Sequence, residues 1–294
     1  MRTFEFDRDT TVTPLGDGLW RAQVSERWGT GKSPNGGYLL ALVIRALAGA
    51  LRHPDPVTVT GHFLRAPGPG PVDIHIDAAP PGRTLSTATA SLHQNGEECL
   101  RVLASYGDLS RSHRGRLTHL IGGPPELPPP EECLVGDGRM PDGRGPTPLS
   151  QRFDLLLHPE TCGWAFDGPS GRPEVGGYAR LRDGRDPDLA VVAVIADVFP
   201  PTAFELGAIG WVPTLELTLH GRARPAPGWL RVWVRSRFFA GGYAEEDAEV
   251  WDRAGTLVAT SRQIARLPRG QVRIAGTAAP ADGSGSHSRD ASEP

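Results

Sequence analysis

The chain has 294 residues, 38% of them hydrophobic and 22% charged, an ordinary globular composition with length for about two domains. Its formal net charge of −3 leaves no basic surplus to suggest nucleic acid or an anionic membrane as the main partner. Cys99, Cys133 and Cys162 are odd in number and widely spaced, which argues against a disulfide framework and a zinc cluster. The N-terminus MRTFEFDRDT has no apolar signal core, and the longest apolar stretch, Tyr38 to Leu51, carries Arg45 and falls short of the ~20 residues of a membrane span. A soluble, cytoplasmic protein is expected.

In chain order, LWRAQV (residues 19–24) reads as a first strand, and RWGTGKSPNGG follows. This second stretch contains the tail of a phosphate-binding loop, but Glu26 stands where that loop needs its first glycine, and the preceding WRAQVSER is too polar for a buried parallel strand. A nucleotide site is therefore disfavoured. Ser33 lacks the flanking glycines of a nucleophile elbow. GGYLLALVIRALAGAL (36–51) is apolar on nearly every side, the mark of a helix enclosed by other structure. Strands follow at VTVTGHFL, VDIHIDA, LSTATASLHQ and CLRVLASY, with Asn95-Gly96 as a tight hairpin turn. From Ser110 to Ser150 the chain is crowded with Gly, Pro and charge and suits an extended connector.

The second body contains DPDLAVVAVIADVF, read as a helix with Asp186 and Pro187 at the cap and first-turn positions, closed by Pro200-Pro201. VVAVIAD also fits a buried strand ending in a magnesium-holding carboxylate, but its length and cap chemistry favour a helix. PTLELTLHG, GWLRVWVRSRF, AEEDAEVWD and TLVATSRQIARL then read as strands. After Pro268 the sequence is small and polar and suits a disordered tail. The expected division is residues 1–110, a linker 111–150, residues 151–267 and a tail 268–294.

The two bodies repeat. Matching VTGHFLRAPGPGPVDIHI to LTLHGRARPAPGWLRVWV sets His62 on His220, an offset of 220 − 62 = 158, and brings Thr60 onto Thr218, Pro67 onto Pro225, Gly70 onto Gly228 and Ile76 onto Val234. Each unit is one helix and a set of alternating strands, a sheet wrapped about a buried helix. The shared position of His62 and His220 favours a role in packing or hydrogen bonding.

PNGGYLLALVIRAL, VTVTGHFLRAPGPG and GRTLSTATASLHQNG in the first body, with IADVFPP, PTLELTLHGR and GTLVATSRQIA in the second, resemble the acyl-CoA thioesterase II type of double hotdog protein, from about Trp20 to Leu267. The resemblance implies an α+β fold of two tandem hotdog units, each an antiparallel sheet around a central helix, and hydrolysis of acyl-CoA with no metal and no cofactor. It also implies a hydrolytic water held by an Asp on the second helix, a Thr on the following strand and a Gln on the last strand. The matching residues are Asp197, Thr214 and Gln263. Thr218 lies on the same strand, and strict alternation places it on the face of Thr214, so that choice stays open.

The chemistry stands beside the resemblance. A thioester carbonyl is electrophilic, so an enzyme needs a positioned water, a base and donors for the oxyanion. Asp197, at the end of an apolar helix, suits the base, because burial and the negative helix end both raise a carboxylate pKa. Thr214 and Gln263 suit water orientation, and Gly36 and Gly37 could present free N–H groups to the carbonyl oxygen. At the offset of 158 Asp197 falls on Leu39 and Gln263 on Ser105, and residues 36–51 contain no Asp or Glu. One hydrolytic centre per chain is expected. A hotdog dehydratase or hydratase would pair its carboxylate with a His, and none follows Asp197 until His220. A non-catalytic acyl-CoA-binding or scaffolding protein would keep the fold without turnover. An exposed sheet edge is expected to invite a homodimer or higher homo-oligomer.

Overall fold

The computed structural model describes residues 3–31, 33–110, 118–139 and 145–268. The first half runs α1 (Glu5–Asp9), β1 (Val12–Gly16), β2 (Leu19–Val24), the short β3 (Gly29–Thr30) and β4 (Ser33–Pro34), α2 (Gly36–Ala50), β5 (Asp55–Phe63), β6 (Gly70–Ala78), β7 (Ser86–Gln94) and β8 (Glu97–Gly107). The second runs β9 (Leu134–Val135), β10 (Phe153–Leu157), β11 (Glu174–Leu181), α3 (Leu189–Ile195), β12 (Thr214–Gly221), β13 (Leu230–Arg235), β14 (Phe239–Ala240), β15 (Tyr243–Asp252) and β16 (Leu257–Arg266).

One antiparallel sheet carries both halves in the order β1-β2-β6-β7-β8-β5-β12-β16-β15-β13-β11-β10-β9, with β14 paired to β15. Around the β5/β12 seam the order reads the same outward in both directions as far as β1 and β10, which is the double hotdog arrangement. Thr60 and Thr218, counterparts in the repeat, face each other across that seam with hydroxyls 2.9 Å apart. They mark the local twofold axis between the halves.

α2 is enclosed by the sheet, and Tyr38 to Ile44 are all buried. Asn35 caps it by accepting from the Tyr38 amide. In α3 the cap is Asp188 and not Asp186: its Oδ1 reaches the Ala190 and Val191 amides at 3.1 and 3.0 Å, while Arg45 and Arg185 hold its other oxygen. α3 stops at Ile195, so Asp197 lies in the turn beyond the helix.

Three strands of five residues or more escape the sequence pattern: β1, β10 and β11. In β11 Gly176 and Gly177 blur the alternation, and Gly176 is needed because a Cβ there would lie 2.3 Å from the Trp233 ring. At the GTGKS stretch, Gly29–Thr30 pairs with Ser33–Pro34 in a small antiparallel ladder. Part of the segment expected to be a connector is packed, since β9 pairs with β10 and Leu149 is buried with its amide on the Gly29 carbonyl. The tail expected from residue 268 lies, beyond Pro268 itself, outside the described residues. No helix among the described residues is long and apolar enough to cross a membrane.

Candidate active site

The start of α2 meets the end of α3. Asn35 Nδ2 donates to both the backbone carbonyl and Oδ2 of Asp197, each at 2.8 Å, and the Gly37 amide donates to the same Oδ2 at 2.8 Å. Glycine permits this approach. A Cβ on Gly37 would stand 2.3 Å from the Ala193 carbonyl oxygen and 2.8 Å from Val194 Cα, and one on Gly36 would stand 2.9 Å from Phe63 and 3.1 Å from Asp197 Oδ2.

Burial pushes the Asp197 carboxyl up to about 7; the charge of Glu246 adds to the rise, while bonds from Gly37, Asn35 and Gly36 restrain it. A carboxylate poised there can accept a proton near neutral pH. Of the two amides that the sequence suggests as free donors, Gly37's is committed to Asp197, because the two helix ends are packed close enough for the carboxylate to fill the space.

A β-bulge builds the second arm. Between Thr214 and Glu216 the register of β12 against β16 slips, so Thr214 lies opposite Ala265 and Glu216 opposite Ile264. The extra residue, Leu215, reverses the parity of the strand. Thr214 thus shares the inner face with Gln263, and its hydroxyl donates to Gln263 Oε1 at 2.8 Å. Thr218 lies on the opposite face, hydrogen-bonded to Thr60 and Glu216. The alternation that placed both threonines on one face fails at this bulge.

Gln263 is turned by a third group. Its Nε2 donates to Glu246 Oε2 at 2.6 Å, and Glu246 Oε1 accepts from the Thr202 amide at 2.7 Å and hydroxyl at 2.8 Å. Ser236 Oγ completes the chain, 2.6 Å from Thr202 Oγ1. Burial raises the Glu246 pKa, and the bonds from Thr202 and Gln263 oppose it. Thr214 and Gln263 are directly bonded, whereas Asp197 bonds to Asn35 and Gly37 and is tied to the pair through the field of Glu246.

Asn35, Thr202 and Glu246 are absent from the residues expected from sequence. Two of them left a signal. Glu246 falls in phase with Ala244, Ala248 and Val250, the buried set of its strand, and a carboxylate in a buried phase is unusual. Asn immediately before an apolar helix is a favoured cap. Among the described residues no cluster of three His, Cys, Asp or Glu is arranged to hold a metal.

Profiles of the acyl-CoA thioesterase N-terminal and C-terminal domains match residues 24–107 and 129–267. The chain belongs to the acyl-CoA thioesterase family. Uncharacterised proteins of Mycobacterium bovis and Mycobacterium tuberculosis are 31% identical over 268 residues, covering 85% of this chain and 91% of theirs. A crystal structure from Thermobifida fusca, named provisionally as a thioesterase II, superposes with a TM-score of 0.81 at 28% identity, over 90% of this chain and 98% of that one. A hot dog fold protein of unknown function from Alicyclobacillus acidocaldarius gives 0.78 at 23% identity, over 92% and 100%, and supports the fold alone.

Proposed function

We propose that this thioesterase family member hydrolyses acyl-CoA thioesters to free CoA and a carboxylic acid at one centre per chain. The observation that carries the reading is the Thr214–Gln263–Glu246 chain together with an Asp197 that feels the charge of Glu246 and whose pKa is lifted to about 7.

In this mechanism Thr214 and Gln263 orient a water, and Asp197 takes one of its protons as the oxygen attacks the thioester carbon. The C–S bond then breaks, the proton passes from Asp197 to the departing sulfur, and the products are the acid and CoA thiol. Near pH 7 Asp197 is matched to both halves of that transfer. With their hydrogens directed at Asp197, the Gly37 amide and Asn35 Nδ2 serve the base: they hold its carboxylate in place and keep part of it ionised in a buried site.

The test is free-thiol release from short, medium, long and aromatic acyl-CoA substrates, run on wild type and Gln263→Ala. Turnover that falls about 100-fold in a folded Gln263→Ala protein supports the reading. Acyl-CoA bound tightly with no thiol released by wild type on any substrate overturns it in favour of a binding protein.

A further inference from the structure

Glu246 is a buried carboxylate, and the fold does not require one at its position. The strand pairs Thr89↔Leu103 and Asp247↔Arg262 are related by the repeat, which sets β15 on β7 at 247 − 89 = 158 and places Ala88 at the counterpart of Glu246 (246 − 158 = 88). Ala88 is buried on the same inner face of an otherwise equivalent sheet. The same pairs set β16 on β8 at 262 − 103 = 159, because the turn after β15 is one residue longer. Gln263 therefore corresponds to Ala104 and not to Ser105. The acid occurs in the half that has the amide and is replaced by alanine in the half that lacks it.

A glutamine amide has two ends of nearly equal shape, and its hydrogen-bond partners decide which way it faces. Every bond to Glu246 comes from a donor: Thr202 N–H and O–H, and Gln263 Nε2. From the relation between these groups we infer that Glu246 is a positioning residue for hydrolysis: it holds the NH₂ of Gln263 toward itself and so aims the amide oxygen at Thr214 and the reacting water. The inference rests on the hydrolase reading and deepens it.

Two further features support the role. Thr202, which anchors Glu246, lies five residues past Asp197, so one loop fixes both arms of the site. The Glu246 charge also reaches Asp197. From α2 that carboxylate is faced by Asn35, Gly36 and Gly37, all neutral, and from β15 by Glu246, the charged member of the set. Thr202, Ser236 and Gln263, which face Glu246 itself, are neutral. Removing the charge of Glu246 therefore makes Asp197 a weaker base, and the acid limb of activity moves to lower pH.

The experiment compares wild type, Glu246→Gln, Glu246→Ala, Gln263→Ala and the double variant Glu246→Ala/Gln263→Ala by free-thiol release across pH, with folding checked by circular dichroism. The expected results are a kcat about 30-fold lower in Glu246→Gln with KM within about 3-fold, and an acid limb shifted downward by a few tenths of a pH unit or more. Adding Glu246→Ala to Gln263→Ala should cost less than about 3-fold, since the acid acts through the amide. Thr202→Val, which removes one donor to Glu246, gives a smaller loss in the same direction and serves if the Glu246 variants do not fold. A folded Glu246→Gln enzyme with full kcat and an unmoved acid limb overturns the inference while leaving the hydrolase reading intact. So does a Glu246→Ala penalty as large in the Gln263→Ala background as in wild type. A wild type without turnover on any acyl-CoA overturns both.

Discussion

At one end of the helix pair the N-cap residue Asn35 of α2 faces Asp197; at the other end the N-cap residue Asp188 of α3 faces α2 and binds Arg45 at 2.9 Å. Matching the caps gives a helix offset of 188 − 35 = 153 and sets Asp197 on Ile44 (197 − 153 = 44). Ile44, Arg45, Pro56, Asp188 and Arg224 line a surface cleft of about 350 Å³ there, the counterpart of the candidate site about the local twofold axis. The bulge is repeated as well: β5 slips register between Pro56 and Thr58, the same place as Thr214 and Glu216. The scaffold is common to both ends, and the equipment is not. Where one end has Asp197, Thr214, Gln263 and Glu246, the other has Ile44, Pro56, Ala104 and Ala88. The helices differ too, since α2 continues for 15 residues and α3 for 7. Pro200-Pro201 forbids further helix, and the early stop frees the turn that presents Asp197.

Substitutions that exchange the two ends should break this contrast unequally. The largest effect is expected from Ile44→Asp, which replaces a buried apolar side chain with a carboxylate and should cost about 3–5 kcal/mol in denaturant unfolding without creating turnover. Gly37→Ala comes next. Its Cβ would strike the Ala193 backbone, and a loss of about 2–4 kcal/mol with most of the activity is expected from thermal unfolding and thiol release.

pH sharpens the contrast, because only one end has a carboxyl lifted to about 7. As the base must be ionised, kcat/KM should rise with pH through about 7 and flatten above it. The stability consequence has the opposite sign. The folded protein holds this proton more tightly than the unfolded chain, so the contribution is fully present below the ordinary carboxylate pKa near 4 and is lost as pH rises through about 7. Asp197→Asn removes that loss and should be more stable than wild type at pH 8 by about 1–3 kcal/mol, measured by urea unfolding at pH 4 and 8. The smallest pair of effects separates the two threonines: Thr214→Ala should lower kcat about 10-fold, while Thr218→Ala, on the outer face, should leave it within about 2-fold.

The sequence alone made the sheet legible because its strands keep their period, and the offset of 158 held from β5 to β7 and from β12 to β15. The resemblance to acyl-CoA thioesterase II proteins pointed to Asp197, Thr214 and Gln263, of which Thr214 and Gln263 are hydrogen-bonded to each other. What the sequence left hidden depends on single-residue slips. The bulge at Leu215 decides the face of Thr214, and the extra residue after β15 decides that Gln263 matches Ala104. Neither insertion disturbs hydrophobic patterning enough to be read. β11 was hidden for another reason: glycines at 176 and 177 serve close packing and erase alternation, while in β10 the run Leu155–Leu157 is apolar on both faces. Asn35 and Glu246 act through partners 162 and 17 residues away, and distance in the chain conceals such pairs even where a cap or a buried phase gives a hint.

If the two ends differ as proposed, all hydrolysis occurs at the Asp197 end. Steady-state thiol release at pH 8 by Asp197→Asn, shown folded and compared with wild type on its preferred acyl-CoA, tests it most directly. Residual kcat below about 1% of wild type is the predicted result. A folded Asp197→Asn protein that keeps half the wild-type rate would contradict the account, because turnover would then have to arise at the other end of the helix pair.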